Sequence, residues 1–188
     1  MNFKIKDIEK KLGFKIKRNS YVLGVDIAST TGLSILETNN KTLSISTFIF
    51  RIPILNKDDE KSEKYIEKLE FMLKFIREFK LKIKPKKNSI LVLENSYLGF
   101  NSYSFGQLKA MCGICFSELY DSFETIKIVF AITARKEVGF KSQLKRDTKK
   151  VEKKKEIIDW INNIFNTKET DDNITDSLLL SLYGLKDE

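Results

Sequence analysis

Apolar residues follow two rhythms along this chain, and the places where one gives way to the other predict its elements. Tyr21–Asp26 (YVLGVD) is a compact apolar run that ends in an acid, the pattern of a buried strand. A small-residue turn at 28–32 (ASTTG) leads to a second strand at 33–37, and Asn39-Asn40 supplies the next turn. Residues 43–50 alternate apolar and polar positions as a third strand, and a loop with Pro53 follows over 53–59. The period then lengthens. Tyr65, Ile66, Leu69, Met72, Leu73, Ile76 and Phe79 recur at helical spacing within 60–80, with charges opposite.

A basic linker at 80–87 precedes Ser89–Glu94 (SILVLE), a fourth apolar strand that again closes on an acid. Residues 102–120 predict a largely buried helix, 125–131 a fifth strand, 133–138 a helical turn and 145–165 a long, very basic helix. Residues 170–172 form a capping segment for a last helix over 173–185. Three strands in a meander, then alternating helices and strands, make an α/β domain over 19–188. Residues 1–18, with seven Lys/Arg and two acids, form a basic arm or short helix ahead of it.

Composition narrows the chemistry. At 188 residues the chain is long enough to bury a core without metal or disulfide staples, and 41% hydrophobic with 32% charged residues is a globular balance. It contains no histidine, which removes Ser-His-Asp and Cys-His arrangements, HExxH zinc sites and imidazole bases. The formal charge is 34 − 26 = +8. A polyanion is therefore a better partner than an acidic protein, though a biased composition also yields lysines. No apolar run reaches the roughly 18–20 residues of a membrane span, and the first residues lack a signal-peptide core. The chain reads as intracellular, with no membrane partner. Cys112 and Cys115 have C-x-x-C spacing but no second pair, and lie in an apolar helical stretch, so buried thiols are favoured over a redox or zinc role.

Three acids stand out by position. Asp26 and Glu94 each end a strand, and strand ends on one sheet edge face a common crevice. Asp176 borders an almost unbroken apolar stretch of the last helix, where a carboxylate is costly without a cation or donor. Three or four carboxylates suit Mg²⁺ or Mn²⁺, which nucleases use in pairs and without histidine. The plainer reading is that such acids open loops or cap helices, and for Asp171 and Asp172 capping is favoured.

YVLGVDIASTTGLSIL, ILVLENSYLGFNSYSFGQLKAMCG and DDNITDSLLLSLYGL, in this order, resemble the RuvC-type Holliday-junction resolvases of the RNase H-like, retroviral-integrase superfamily. The resemblance spans residues 21–185. It implies a five-stranded mixed sheet, a three-strand antiparallel meander plus two parallel strands, flanked by helices. Asp26 with Gly32 matches the family's opening motif, Glu94 its second acid, and Asn101, Ser104, Leu108 and Gly113 its Asn-x-x-Ser…Leu…Gly pattern. Asp176 matches the second of two metal-binding positions on the terminal helix. The first is Asn173, where the family has Asp or His; Asp172, four residues before Asp176, is the other residue able to serve.

The resemblance further implies two Mg²⁺ or Mn²⁺ ions, held by Asp26, Glu94 and Asp176 with Asp172 or Asn173, and 5′-phosphate products. It aligns Lys154 near the scissile phosphate, with Arg135 close by. Lys149, Lys150, Lys153 and Lys154 then become DNA contacts, although such a run is otherwise a solvated helix face. Tyr97 falls where the family places an aromatic at the junction centre, and Asn101 joins it as a DNA contact. The implied activity is that of a crossover junction endodeoxyribonuclease, cellular or viral, in DNA recombination and repair. A junction close to two-fold symmetry suits a homodimer. The helix at 102–120 is a candidate for part of that interface or for ordinary core. Two rivals remain: a DNA-binding protein of this fold with weakened catalysis, and a nuclease acting on other branched DNA. Sugar kinases and actin-like ATPases share the opening motif but need a second domain and a Gly-rich nucleotide motif that this sequence lacks.

Overall fold

A computed structural model describes residues 1–53, 61–95, 102–144 and 148–187, with Lys61 and Ser62 described in backbone only. Its strands are β1 (Asn2–Lys4), β2 (Tyr21–Asp26), β3 (Thr30–Thr38), β4 (Thr42–Arg51), β5 (Ser89–Glu94) and β6 (Thr125–Val129). Its helices are α1 (Ile5–Leu12), α2 (Lys61–Lys82), α3 (Ser102–Leu119), α4 (Ala131–Glu137), α5 (Lys150–Phe165) and α6 (Asp172–Leu185). The sheet order is β1-β4-β3-β2-β5-β6. The meander β2-β3-β4 is antiparallel, and β5 and β6 run parallel to β2. This is the mixed sheet expected, extended by a sixth strand: β1 pairs antiparallel with the free edge of β4.

The turns form for local reasons. At the β3–β4 hairpin the Asn39 side-chain oxygen accepts the N–H groups of Lys41 and Thr42, both at 2.7 Å. Before β3, the Thr31 hydroxyl donates to the Ala28 carbonyl at 2.7 Å and fixes the small-residue turn. Residues 1–18 are tied into the structure. Ile5, Ile8, Leu12 and Ile16 are buried, and Glu9 accepts the Ile16 N–H at 3.0 Å while pairing with Arg18 at 3.0 Å.

Side-chain alternation along the strands sorts the core into two layers. Val22, Leu36, Ile90, Val92 and Val129 face α1, α5 and α6. Leu23, Val25, Leu33, Leu91 and Leu93 face α2 and α3. On the second side α2 buries Met72, Ile76 and Phe79, but Ile66, expected in the same stripe, is exposed. Helix α3 is not largely buried as its apolar sequence suggested. Met111, Cys112, Cys115 and Leu119 are buried, while Tyr103 and Phe116, and Tyr120 just after the helix, are exposed. The two cysteines are free and buried, and burial pushes both thiols above their ordinary range.

On the first side α6 lies unusually close to the sheet. A Cβ on Gly24 would come under 3.0 Å from the Ser177 carbonyl oxygen, and one on Gly32 would collide with the Asn173 carbonyl. Ser34 and Ser181, facing each other across this contact, join hydroxyls at 2.7 Å. Glycine in these strands admits a helix backbone where any side chain would hold it away.

Candidate active site

The same alternation that sends Val22 and Gly24 toward α6 sends Asp26 there, and Glu94 follows Ile90 and Val92 in the same way. Because β2 and β5 are parallel neighbours, both acids arrive at the same end of the sheet. Asp26 is directly opposite Gly32 in the β2–β3 register, and Gly32 is the residue on which the first turn of α6 rests. That contact brings Asp176, one turn further along α6, to the same place.

Asp26 is 8% exposed. Its carboxyl is held well above the usual carboxylate range, first by burial, then by a hydrogen bond to Glu94 and the negative charges of Glu94 and Asp176. Arg135, from α4, pulls the other way. Its guanidinium donates to Asp176 at 2.7 Å with both side chains less than a third exposed, while its buried Nε has no partner among the described residues. Asp26, with Glu94 and Asp176 close enough to act on its charge, thus forms one cluster, in which Arg135 pairs with Asp176 and acts on Asp26.

The neighbouring residues of α6 are engaged differently. Asp171 is the N-cap and accepts the N–H groups of Asn173 at 2.9 Å and Ile174 at 3.4 Å. The Asn173 side-chain amide donates to the same oxygen at 3.0 Å, so this residue is part of the cap. Asp172 pairs with Lys154 of α5. Lys149 and Lys150 are exposed, and Lys153 and Lys154 are half-buried on the same basic turns. Tyr97 and Asn101 lie outside the described residues. The sequence did not single out Arg51, which reaches Asp171 from the end of β4 at 3.4 Å, and its only signal was an arginine after a strand.

Among the described residues no three acids or thiols are gathered as a ready-made metal site. Two of the candidate acids are instead held in ion pairs, Asp176 with Arg135 and Asp172 with Lys154. The donor set nonetheless fits a hard divalent cation. Asp26 is buried beside Glu94, and the burial and neighbouring negative charge that raise its carboxyl are what a bound divalent cation would offset.

The fold is that of the RuvC-type resolvases. No family model matches the chain, and no curated protein does. Among solved structures it is similar to Thermus thermophilus RuvC, at 10% identity and a TM-score of 0.60, over 87% of this chain and 92% of that one. It is similar also to T. thermophilus RuvC in complex with Holliday junction substrate, at 11% identity and a TM-score of 0.61, over 87% and 91%. The yeast mitochondrial Holliday junction resolvase Ydc2 matches at 12% identity and a TM-score of 0.50, over 95% of this chain and 82% of that one. Among the described residues no helix is long and apolar enough to cross a membrane.

Proposed function

We propose that this protein is a structure-specific DNA endonuclease that resolves four-way junctions by hydrolysing phosphodiester bonds with the help of two Mg²⁺ or Mn²⁺ ions. One observation carries the reading: Asp26 and Glu94, from parallel neighbouring strands, converge with Asp176 of α6 on one edge of the sheet. The likeness in fold to resolvases, one of them solved with its junction, supports it.

Asp26, Glu94 and Asp176 would hold the cations, with Asp172 or Asn173 as the further ligand. Bound there, the cations supply Lewis-acid stabilisation of charge on the phosphate and acidify water. Arg135 and Lys154, paired with Asp176 and Asp172, would be free to contact DNA phosphate once those acids held a cation. Lys149, Lys150 and Lys153 extend the basic surface along α5, Tyr97 stacks at the junction centre, and Asn101 contacts the DNA beside it. Water oxygen bonds to phosphorus, the bond from phosphorus to the 3′ oxygen breaks, and that oxygen takes a proton. The products are a 5′-phosphate and a 3′-hydroxyl.

These groups all lie within residues 19–188, which we assign to the nuclease domain, and such a protein acts in a DNA-containing compartment. Cutting two strands symmetrically suits a homodimer, whose two-fold axis matches that of the junction. The exposed surface at the end of α3 supports one: Phe116 and the following Tyr120 stack there in solvent, and among the described residues nothing but the helix's own backbone lies within 4 Å of where a Cβ on Gly113 would stand.

A synthetic four-way junction with and without Mg²⁺ or Mn²⁺ tests the activity. Paired nicks that need the cation and disappear in Asp26→Asn are expected. Cutting that survives Asp26→Asn would remove the site assignment. The engagement of Asn173 in the helix cap favours a second reading, a junction-binding protein with weakened catalysis. Binding without cutting, unchanged by Asn173→Asp, would establish that one.

A further inference from the structure

A groove of about 400 Å³ opens between α4, the segment after it and α5. Ile132, Phe140, Leu144 and Ile157 line its apolar part. Ile132 is 77% exposed, and Leu144 and the nearby Val151 are also solvent-facing. Contiguous exposed apolar surface edged by charge marks a place where something binds. The charge is basic: Arg135, Lys136 and Lys153 line the same groove. Among the described lining residues the acid, Glu156, is directed at its own chain, accepting from the Ser142 hydroxyl and the Gln143 N–H. Arg135 is also the residue that donates to Asp176, so the groove adjoins the acid cluster.

We propose that this groove binds an unpaired nucleotide of the DNA strand that crosses the acid cluster, the base against Ile132 and Leu144 and the flanking phosphates against Lys136 and Lys153. The proposal rests on the nuclease reading and deepens it, because it assigns a subsite to single-stranded character at the branch. Apolar surface beside cations is the combination that single strands select, since an unpaired base offers an uncharged face and its backbone offers regular negative charge. A paired duplex keeps its bases stacked away from such a groove, and an acidic peptide answers the cations alone.

Trp160, the chain's single tryptophan, reports on the groove, since its ring meets Phe140 edge-on at 5.5 Å. With EDTA present to prevent cleavage, a short oligothymidylate should shift Trp160 emission saturably. A blunt duplex and polyglutamate should not. The double variant Ile132→Ser/Leu144→Ser removes only exposed side chains and should weaken oligothymidylate binding about tenfold, the scale of one lost base contact, with duplex affinity unchanged. Wild-type affinity in that variant, or an equal Trp160 response to duplex or polyglutamate, would overturn the proposal. The nuclease reading fails separately, through junction cutting that persists in Asp26→Asn, and binding in EDTA does not depend on that outcome.

Discussion

The two faces of the sheet are packed in different ways. On the α2–α3 face, side chains fill the space: Met72, Ile76, Phe79 and Cys115 meet Leu23, Val25 and Leu91. Gly106 and Gly113 lie on the solvent side of α3, where among the described residues nothing but the helix's own backbone lies within 4 Å of where a Cβ would stand. On the α6 face, backbone meets backbone. Gly24 and Gly32 let the helix rest on the strands, and Gly184 accommodates Val22 and Val92 from the helix side. A side-chain interface can relax after a small change, whereas backbone contacts have little freedom to move. The face that carries Asp26, Glu94 and Asp176 is therefore the one whose helix position is most tightly fixed.

Gly32→Ala should break this contrast most severely. The new methyl collides with the Asn173 carbonyl, so we expect about 3 kcal/mol of lost stability in urea unfolding and a displaced first turn of α6. Arg135→Gln removes the cation that pairs with Asp176 and acts on Asp26. Its cost should be about 2 kcal/mol, below that of a fully buried pair because both partners keep some solvent. Mn²⁺ should then raise the melting temperature of the variant more than that of the wild type; an equal rise would show that Arg135 and the metal do not compete.

Asp171→Ala should cost about 1 kcal/mol by removing the N-cap. Burial alone would raise the Asp171 carboxyl. Its bonds from Asn173 and Ile174 and the charge of Arg51 outweigh burial and hold it below the ordinary 3.8. Its contribution is therefore complete above that value and is lost as pH falls through the lowered folded-state pKa. Acid titration of stability in wild type and variant should converge there. Gly113→Ala marks the other side of the comparison with the opposite sign. Its Cβ enters open space on a helix, so monomer stability should rise by about 0.7 kcal/mol in thermal unfolding at low concentration.

Much of this fold was legible because apolar periodicity follows backbone geometry. Ser89–Glu94 and Tyr21–Asp26 form as the pattern predicted, since runs of buried apolar residues between turn signals have few alternatives. The strand β1 was not legible: three residues, Asn2–Lys4, carry no period, and only the free edge of β4 makes them a strand. Helix α3 misled for a related reason. A helix apolar on most sides reads as buried, but Met111, Cys112, Cys115 and Leu119 alone among its residues are buried, while Tyr103 and Phe116 stay exposed. The acids Asp26, Glu94 and Asp176 could be singled out because a carboxylate at the end of an apolar run is unexpected. Their partners could not. That Arg135 pairs with Asp176, and Lys154 with Asp172, depends on side-chain reach across elements 41 and 18 residues apart in sequence.

The sequence by itself determined the α/β order, the three acids and a chemistry that does without histidine, because these follow from local period and from which side chains exist. Tertiary structure alone decided which acids meet. The parallel register of β2 and β5 aligns Asp26 with Glu94, the missing Cβ of Gly32 brings α6 and Asp176 down beside them, and α4 supplies the arginine that now balances their charge.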